Sequence, residues 1–374
     1  MTAGRPAERS QSPRAPSEPI RNRVDAVPRP PRFPHSDHCD GRRFFNPHRS
    51  TDKSVLEVVR CFWRAEWPEW PMDIRDPSHP TPRPPAPGGV AVTHIGHATF
   101  LIQLDGLSLI TDPVFSRRAS PFSFYGPSRA RPPGVRLEDL PKLDAVLLSH
   151  GHFDHADVPS LRSLARRFAP RAVTGLNQGT LLDRCGLRHI DELDWWEAAE
   201  LPGGVRVTFV PAQHWTSRMP FRRNEALWGG FVVEGPSATV YFCGDSGYGP
   251  HFQQIGERFP RIDVALLPIG AFLPRWFMEP QHMDPADAVQ AHRDLSPTVA
   301  FAMHYGVFRL TPEAIDAPVE GLHAARAAAG LPEHAFRTLG FGETATVYPE
   351  RMGRLAPEAA QRNLDRASQE GGQT

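Results

Sequence analysis

Apolar positions along this chain come in short blocks, and most of the blocks have strand length. From Val92 to Leu104 and again from Leu107 to Ile110 the residues are mostly β-branched or aliphatic, and Asp105-Gly106 between them is a turn signal. The pattern predicts two strands there, with Asp112 just past the second. Ala145-Val146-Leu147-Leu148 is a continuous apolar run, as expected of a strand buried on both faces. Val205–Val210, Ala238–Cys243 and Val299–Met303 repeat that pattern, residues 171–210 read as short strands between turns, and Thr344–Val347 gives a last strand.

The period changes in four places. Over Val158–Phe168, Leu161, Leu164, Ala165 and Phe168 fall at i, i+3, i+4 and i+7, which predicts a helix with one apolar face. Asp284 is suited to an N-cap, with Pro285 at N1 and Asp287 at N3, so a helix is expected through Ala288, Val289, His292 and Leu295. Residues 53–65 predict a short helix with Val55, Val58 and Val59 on one face and Phe62 continuing it, and Val319–Ala329 a later one. Phe115–Pro141 reads as a long loop. Pro71–Gly89 is Pro-rich and reads as an extended strap along the body.

Composition sets the limits. Residues 1–38 are rich in Pro, Arg and Ser and have too little apolar surface to offset the entropy of ordering, so a disordered tail is expected. One body is expected over residues 39–349, with a polar tail over 350–374. Acidic and basic residues balance at 42 each, so no field for steering nucleic acid is implied. The four cysteines, Cys39, Cys61, Cys185 and Cys243, have no paired spacing, which argues against a disulfide scaffold or a Cys-based zinc site. No run reaches transmembrane length and the N-terminal region has no apolar signal core. A cytoplasmic protein is the expectation, with room for peripheral membrane contact.

The chemistry concentrates in Ser149-His150-Gly151-His152-Phe153-Asp154-His155, which follows directly on the Ala145–Leu148 run. Three imidazoles and a carboxylate at one strand end are donors suited to zinc, and also to manganese or iron. His214, Asp245 and His304 each come just after another strand-like run. Strand ends are where α/β sheets assemble sites, because the loops there are free while the strands fix their roots. Singly, each of these residues reads as well as a turn or core residue. Together the seven donors are enough for two metal ions.

This constellation resembles the metallo-β-lactamase-fold hydrolases. Several stretches are more narrowly similar to the branch of N-acyl-phosphatidylethanolamine-hydrolysing phospholipase D: Gly96-His97-Ala98-Thr99, Thr111–Pro121, Pro211–Trp215, Leu227-Trp228-Gly229, Gly244–Tyr248, Pro268–Met278 and Gln281–Pro285. The resemblance covers roughly residues 40 to 310. It implies an α/β fold of four layers, αββα, holding two zinc ions. His150, His152 and His214 would hold one ion, Asp154, His155 and His304 the other, and Asp245 would bridge. Asp112 and His97 would orient ligands. Two close cations acidify a water and neutralise a phosphodiester, and Asp154 could handle a proton. Members that carry iron for redox work usually have Glu at the position of His152, so hydrolysis is favoured here.

The substrate is less strongly marked. Gln281 and His282 precede the Asp284-capped helix, where a phosphoryl oxygen could be held and His282 could protonate a leaving alcohol. Phe272, Leu273, Trp276, Phe277 and Met278 form one apolar stretch. Trp215, Met219, Phe221, Leu227 and Trp228 form another, with Arg218, Arg222 and Arg223 among them. Trp215, Tyr248, Trp276 and Phe277 are the candidate contacts for acyl chains, with the arginines at a headgroup boundary. Core packing is the other reading of these stretches. The expectation is a phospholipase D-type phosphodiesterase that releases N-acylethanolamine and phosphatidic acid, without a nucleic-acid partner and compatible with a homodimer. The alternatives are a metallo-hydrolase of a soluble phosphodiester or lactone, and a non-catalytic metal- or lipid-binding protein.

Overall fold

The computed structural model of the 374-residue chain describes residues 1–2, 32–219 and 222–349. The expectations for most of the N-terminal tail, for residues 350–374 and for Phe221 lie outside these residues. The first elements among the described residues are a small hairpin of β1 (His35–Ser36) and β2 (Cys39–Asp40) and then α1 (Val55–Arg64). Ser54 caps α1 in a reciprocal capping box with Glu57. Next come β3 (Val90–Gly96), β4 (Thr99–Leu104), β5 (Leu107–Thr111), β6 (Ala145–Leu148), α2 (Val158–Phe168), β7 (Arg171–Gly175), α3 (Gly179–Arg184) and β8 (Ile190–Leu193). The second half holds β9 (Ala198–Leu201), β10 (Val205–Val210), β11 (Gly230–Glu234), β12 (Thr239–Phe242), α4 (His251–Arg258), β13 (Val264–Pro268), α5 (Arg275–Met278), α6 (Pro285–Leu295), β14 (Val299–Met303), α7 (Ala317–Ala329), β15 (Phe336–Arg337) and β16 (Thr344–Val347).

Two seven-stranded sheets result. One has the order β16-β3-β4-β5-β6-β7-β8, the other β15-β14-β13-β12-β11-β10-β9. Each has three antiparallel pairings at one end and three parallel pairings at the other. The period-2 alternation of a strand assigns the layers. In β4, Phe100, Ile102 and Leu104 point into the core between the sheets, where they join Phe209, Phe231 and Phe242. Leu101 points the other way and packs with Val146 and Leu148 of β6 under Leu161 and Leu164 of α2. On the second sheet, Val289 and Leu295 of α6 and Phe252 of α4 close the outer face. The layers therefore run helix, sheet, sheet, helix, the αββα fold expected.

Two expectations change, and that of the strap holds. Val92–Leu104 is not one strand: β3 and β4 are separated at His97-Ala98, where Gly96 (φ 145°) and His97 (φ 58°) take a turn. Both turn residues are buried, so hydrophobic alternation did not mark the break. β11 and β13 are fully formed strands beyond those the pattern predicts, and α3 and α4 are helices beyond the four it predicts. The Pro71–Gly89 stretch runs as an irregular strap on the body, tied by Ile74 N–H to Ala130 O (2.9 Å) and by Arg131 to Asp76 (2.5 Å).

Candidate metal centre

Seven loops deliver the site. His97 sits in the β3–β4 turn, Asp112 follows β5, His150–His155 follow β6, His214 follows β10, Asp245 follows β12, His282 lies between α5 and α6, and His304 follows β14. The strand ends bring these residues to one edge of the paired sheets. His97, Asp112 and His304 all have positive φ (58°, 34° and 62°), a backbone strain that concentrates at sites the surrounding fold over-determines. The two sheets are tied there by His304 N–H to His97 O (3.1 Å). Gly270, two residues past β13, lets the His304 backbone pass close beside it. A Cβ there would stand 2.1 Å from His304 O.

The side chains form two donor sets. In the first, His150 Nε2 lies 2.9 Å from His152 Nδ1, and His214 Nε2 lies 3.2 Å from the same atom. In the second, Asp154 Oδ2 lies 3.5 Å from both His155 Nε2 and His304 Nε2. Asp245 stands between them. Its carboxylate is 3.1 Å from His155 Nε2 and 3.2 Å from His304 Nε2. It is 3.7 Å from His214 Nε2 and 4.0 Å from His150 Nε2. A tetrahedral ion with ligands at about 2.0–2.2 Å separates its donors by roughly 3.3–3.6 Å, close to these spacings.

The donor set fits cations on other grounds as well. His155 Nε2, His304 Nε2 and Asp245 Oδ1 are buried, face one another and lack a hydrogen-bond partner. Such atoms are costly to bury unless something else satisfies them. The outward nitrogens are occupied. His214 Nδ1 is 2.8 Å from Gln281 O, His155 Nδ1 is 2.7 Å from Asp112 Oδ2, and His150 Nδ1 is 2.9 Å from Ser149 Oγ. With Nδ1–H donating outward, His150 and His214 each present an Nε2 lone pair inward. Burial lowers His155 too, but Asp245, Asp154 and Asp112 outweigh it and hold that ring well above its usual value, so its Nε2 gives up a proton when it ligates. Burial pushes His150 far down and His214 down to about 3, so both stay as neutral imidazole. Burial raises the Asp154 and Asp245 carboxyls, but His155 outweighs it and holds both well below the usual range. Neutral imidazole and ionised carboxylate are the ligating forms.

All seven residues expected as ligands thus meet in one place. His97 and Asp112 flank them, His97 Nε2 standing 3.0 Å from Asp154 Oδ2. His282 is also brought in, its Nε2 4.0 Å from Asp245 Oδ2 and its ring 5.0 Å from that of His214. Trp215 packs its ring edge-on to His152 at 4.3 Å.

Other expected contacts go elsewhere. The Gln281 side chain turns to Met278 Sδ (3.6 Å), and only its carbonyl serves the site. The N-terminus of α6 is closed by its own cap, because Asp284 accepts from Ala286 N–H and Asp287 N–H and both carboxylates pair with Arg275. It therefore offers no free amides to a phosphoryl group. The Tyr248 hydroxyl donates to Asp294 at 2.6 Å, away from the donors. Trp276 is half exposed under Arg60, and Phe277 lies under Lys53. Arg218 donates to Gly151 O and Ala156 O, clamping both ends of the His-rich turn, and Arg223 stacks on Trp215 and donates to Thr51 O. These two arginines support loops and are not at a headgroup boundary.

The part of the site missed from the sequence is an amino-terminal one. Asn46 and Thr51 reach the backbone of His214 from 168 and 163 positions away. No local signal could have found them, since nothing near Asn46 patterns as a site.

Residues 108–305, which include every donor of both sets, match the model of the "Beta-lactamase superfamily domain". The chain is 38% identical over 232 residues to "N-acyl-phosphatidylethanolamine-hydrolyzing phospholipase D 1" of Caenorhabditis elegans, covering 59% of this chain and 65% of that protein. It is 30% identical over 236 residues to the mitochondrial protein of that description from Saccharomyces cerevisiae, covering 62% of this chain and 50% of that one. The chain thus spans less than two thirds of the length of these curated relatives. Among solved structures, a metallo hydrolase from Ignicoccus hospitalis superposes with a TM-score of 0.54 at 26% identity, covering 69% of this chain and 98% of that one.

Proposed function

The chain belongs to the β-lactamase superfamily, whose domain model spans more than half of it, and from that membership we propose a metal-dependent phosphodiesterase of the phospholipase D type. The observation that carries the reading is the place of Asp245, within 4.0 Å of donors in both sets. His150, His152 and His214 would hold one ion, Asp154, His155 and His304 the other, with Asp245 between them. The all-N/O donor set at near-tetrahedral spacing suits zinc, with manganese or iron as alternatives. Bound ions would supply an acidified water near neutral pH and neutralise the charge of a phosphodiester.

The chain's own residues do the rest. The net reaction adds a water oxygen to phosphorus, breaks the phosphorus–oxygen bond to the ethanolamine side and delivers a proton to the departing alcohol. His282, buried beside Asp245 and kept neutral by that burial, which pushes its pKa down to about 3, is the group placed to take a proton from the attacking water and pass it to that alcohol. Asp154 is oriented by His97 and can take up a proton as water is consumed. Burial of His150, His214, His282 and Asp245 keeps bulk water from competing at these atoms.

The substrate proposed is an N-acyl-phosphatidylethanolamine-like phospholipid, yielding N-acylethanolamine and phosphatidic acid. The nematode and yeast relatives support it. Such a substrate requires access to a bilayer. Among the described residues no helix is long and apolar enough to cross a membrane. Instead α1 turns Leu56, Val59 and Trp63 to solvent, and Arg60 of the same helix lies over the half-exposed Trp276. We assign this face to peripheral membrane contact.

The test is zinc-loaded protein against a panel of phospholipids and soluble phosphodiesters, with products identified by mass. Release of N-acylethanolamine and phosphatidic acid, abolished by chelation, is expected. Hydrolysis confined to soluble esters would overturn the lipid assignment. Fewer than two bound ions, or activity surviving chelation, would overturn the metal assignment.

A further inference from the structure

His214 is the ligand with the least regular support. It lies in an irregular stretch four residues beyond β10, and neither its N–H nor its C=O enters a sheet ladder. Both are nevertheless bonded. The Asn46 carboxamide donates from Nδ2 to His214 O at 2.8 Å and accepts His214 N–H on Oδ1 at 3.2 Å. One planar group thereby satisfies both backbone atoms of a single ligand residue, as a neighbouring strand would. A carboxamide suits this task because it carries a donor and an acceptor side by side.

The surroundings repeat the support. Thr51 Oγ1 also reaches His214 O, at 3.4 Å. The preceding Gln213 side chain donates to Arg49 O at 2.6 Å and to Pro280 O at 3.1 Å. The segment carrying Asn46 is itself anchored. Phe44 is buried, and its N–H donates to Asn224 O at 2.8 Å. His38 is bonded to Asp194 at 2.7 Å. With the backbone held by Asn46 and the ring held by Gln281 O, Nε2 of His214 has one place to point, which is toward His152 Nδ1.

We propose that Asn46 is a positioning residue for His214, so that the segment over residues 39–52, outside the matched superfamily domain, is part of the metal centre. The inference rests on the two-ion reading above and is independent of the substrate. Loosening His214 weakens the ion held by His150, His152 and His214 and leaves the other ion in place.

The experiment titrates Zn2+ and Co2+ into apo full-length protein against a chromophoric chelator. Wild type is compared with Asn46→Ala and with Asn46→Asp. The aspartate is isosteric, so it preserves packing while removing the N–H that His214 O accepts. Both variants are expected to weaken one of the two equivalents by about 10- to 100-fold, the usual effect of losing a group that orients a ligand. The second equivalent stays within about twofold, and the visible Co2+ spectrum of the weakened site shifts, which loss of a merely structural contact does not cause. Unchanged affinities and spectrum in both variants overturn the proposal. So does equal weakening of both equivalents with loss of the folded state in both variants. A wild-type chain that binds two ions but hydrolyses no phospholipid refutes the substrate reading and leaves this one standing.

Discussion

Asp112 Oδ2 lies 2.7 Å from His155 Nδ1, and the same oxygen accepts from Ser149 Oγ at 2.6 Å. Ser149 Oγ in turn lies 2.9 Å from His150 Nδ1. One carboxylate therefore sets the tautomer of a ligand in each donor set, directly for His155 and through a hydroxyl for His150. Asp112→Ala is expected to lower the affinity for both ions by about 10- to 100-fold, whereas Asn46→Ala lowers one. Competition titration with Zn2+ distinguishes the two patterns. An Asp112→Ala protein that binds both ions like wild type would remove the carboxylate from this role.

His282 stands 4.0 Å from Asp245 but belongs to neither histidine set. His282→Ala is expected to reduce kcat by about 10²–10⁴-fold, the range for a lost general acid, with two ions still bound. Metal content and kcat are measured on the same preparation. Loss of an ion in this variant would make His282 a ligand.

The donor sets hold buried, mutually facing polar atoms without hydrogen-bond partners, which an ion would satisfy. Metal binding is therefore linked to folding. Each ion at a free concentration 100-fold above its Kd is expected to stabilise the fold by about 2.7 kcal/mol. Thermal melts of apo protein with rising Zn2+ should show Tm climbing with the logarithm of concentration. A Tm indifferent to zinc would contradict the assignment.

His38 gives the amino-terminal segment a pH dependence. Burial lowers its pKa, but hydrogen bonds to Asp194 and Asp37 outweigh this and hold it above 6.5. A His whose folded pKa is raised contributes stability that is full below its unfolded pKa and is lost as pH rises through the folded value. The denaturation midpoint of His38→Asn should therefore fall furthest below wild type near pH 6 and converge with it at alkaline pH. A gap that widens with pH would reverse the sign and exclude the ion pair as its cause.

The exposed face of α1 makes a separate prediction. Trp63 is 86% exposed and Leu56 80% exposed. Replacing both with Asp should reduce sedimentation of the protein with phosphatidylcholine–phosphatidylethanolamine vesicles several-fold, without changing turnover of a water-soluble phosphodiester. Unaltered sedimentation would place the membrane contact elsewhere.

Much of the centre was legible before the fold was known. His150-Gly151-His152-Phe153-Asp154-His155 packs four donors into six residues after an apolar strand. Local spacing suffices there because the ligands share one turn. His214, Asp245 and His304 could be proposed because each follows a strand, and sheets carry such ends to a common edge. The cap of α6 was legible too, from Asp284, Pro285 and Asp287. What that cap does to the site was not: it fills the amides that a phosphoryl group was expected to use.

Sequence by itself thus determined the donor types and their strand-end positions, because these follow from periodicities of two and 3.6 residues and from the chemistry of single side chains, while the layer order was legible only through the resemblance to the family. Only the tertiary structure decided which groups orient those donors. Asn46 meets His214 across 168 positions, and Arg218 turns from a presumed headgroup contact into a clamp on Gly151 and Ala156. The physical reason is that a hydrogen bond between a side chain and a distant backbone has no period and no required spacing. It exists only once packing has brought both ends together and removed the water that would otherwise satisfy them.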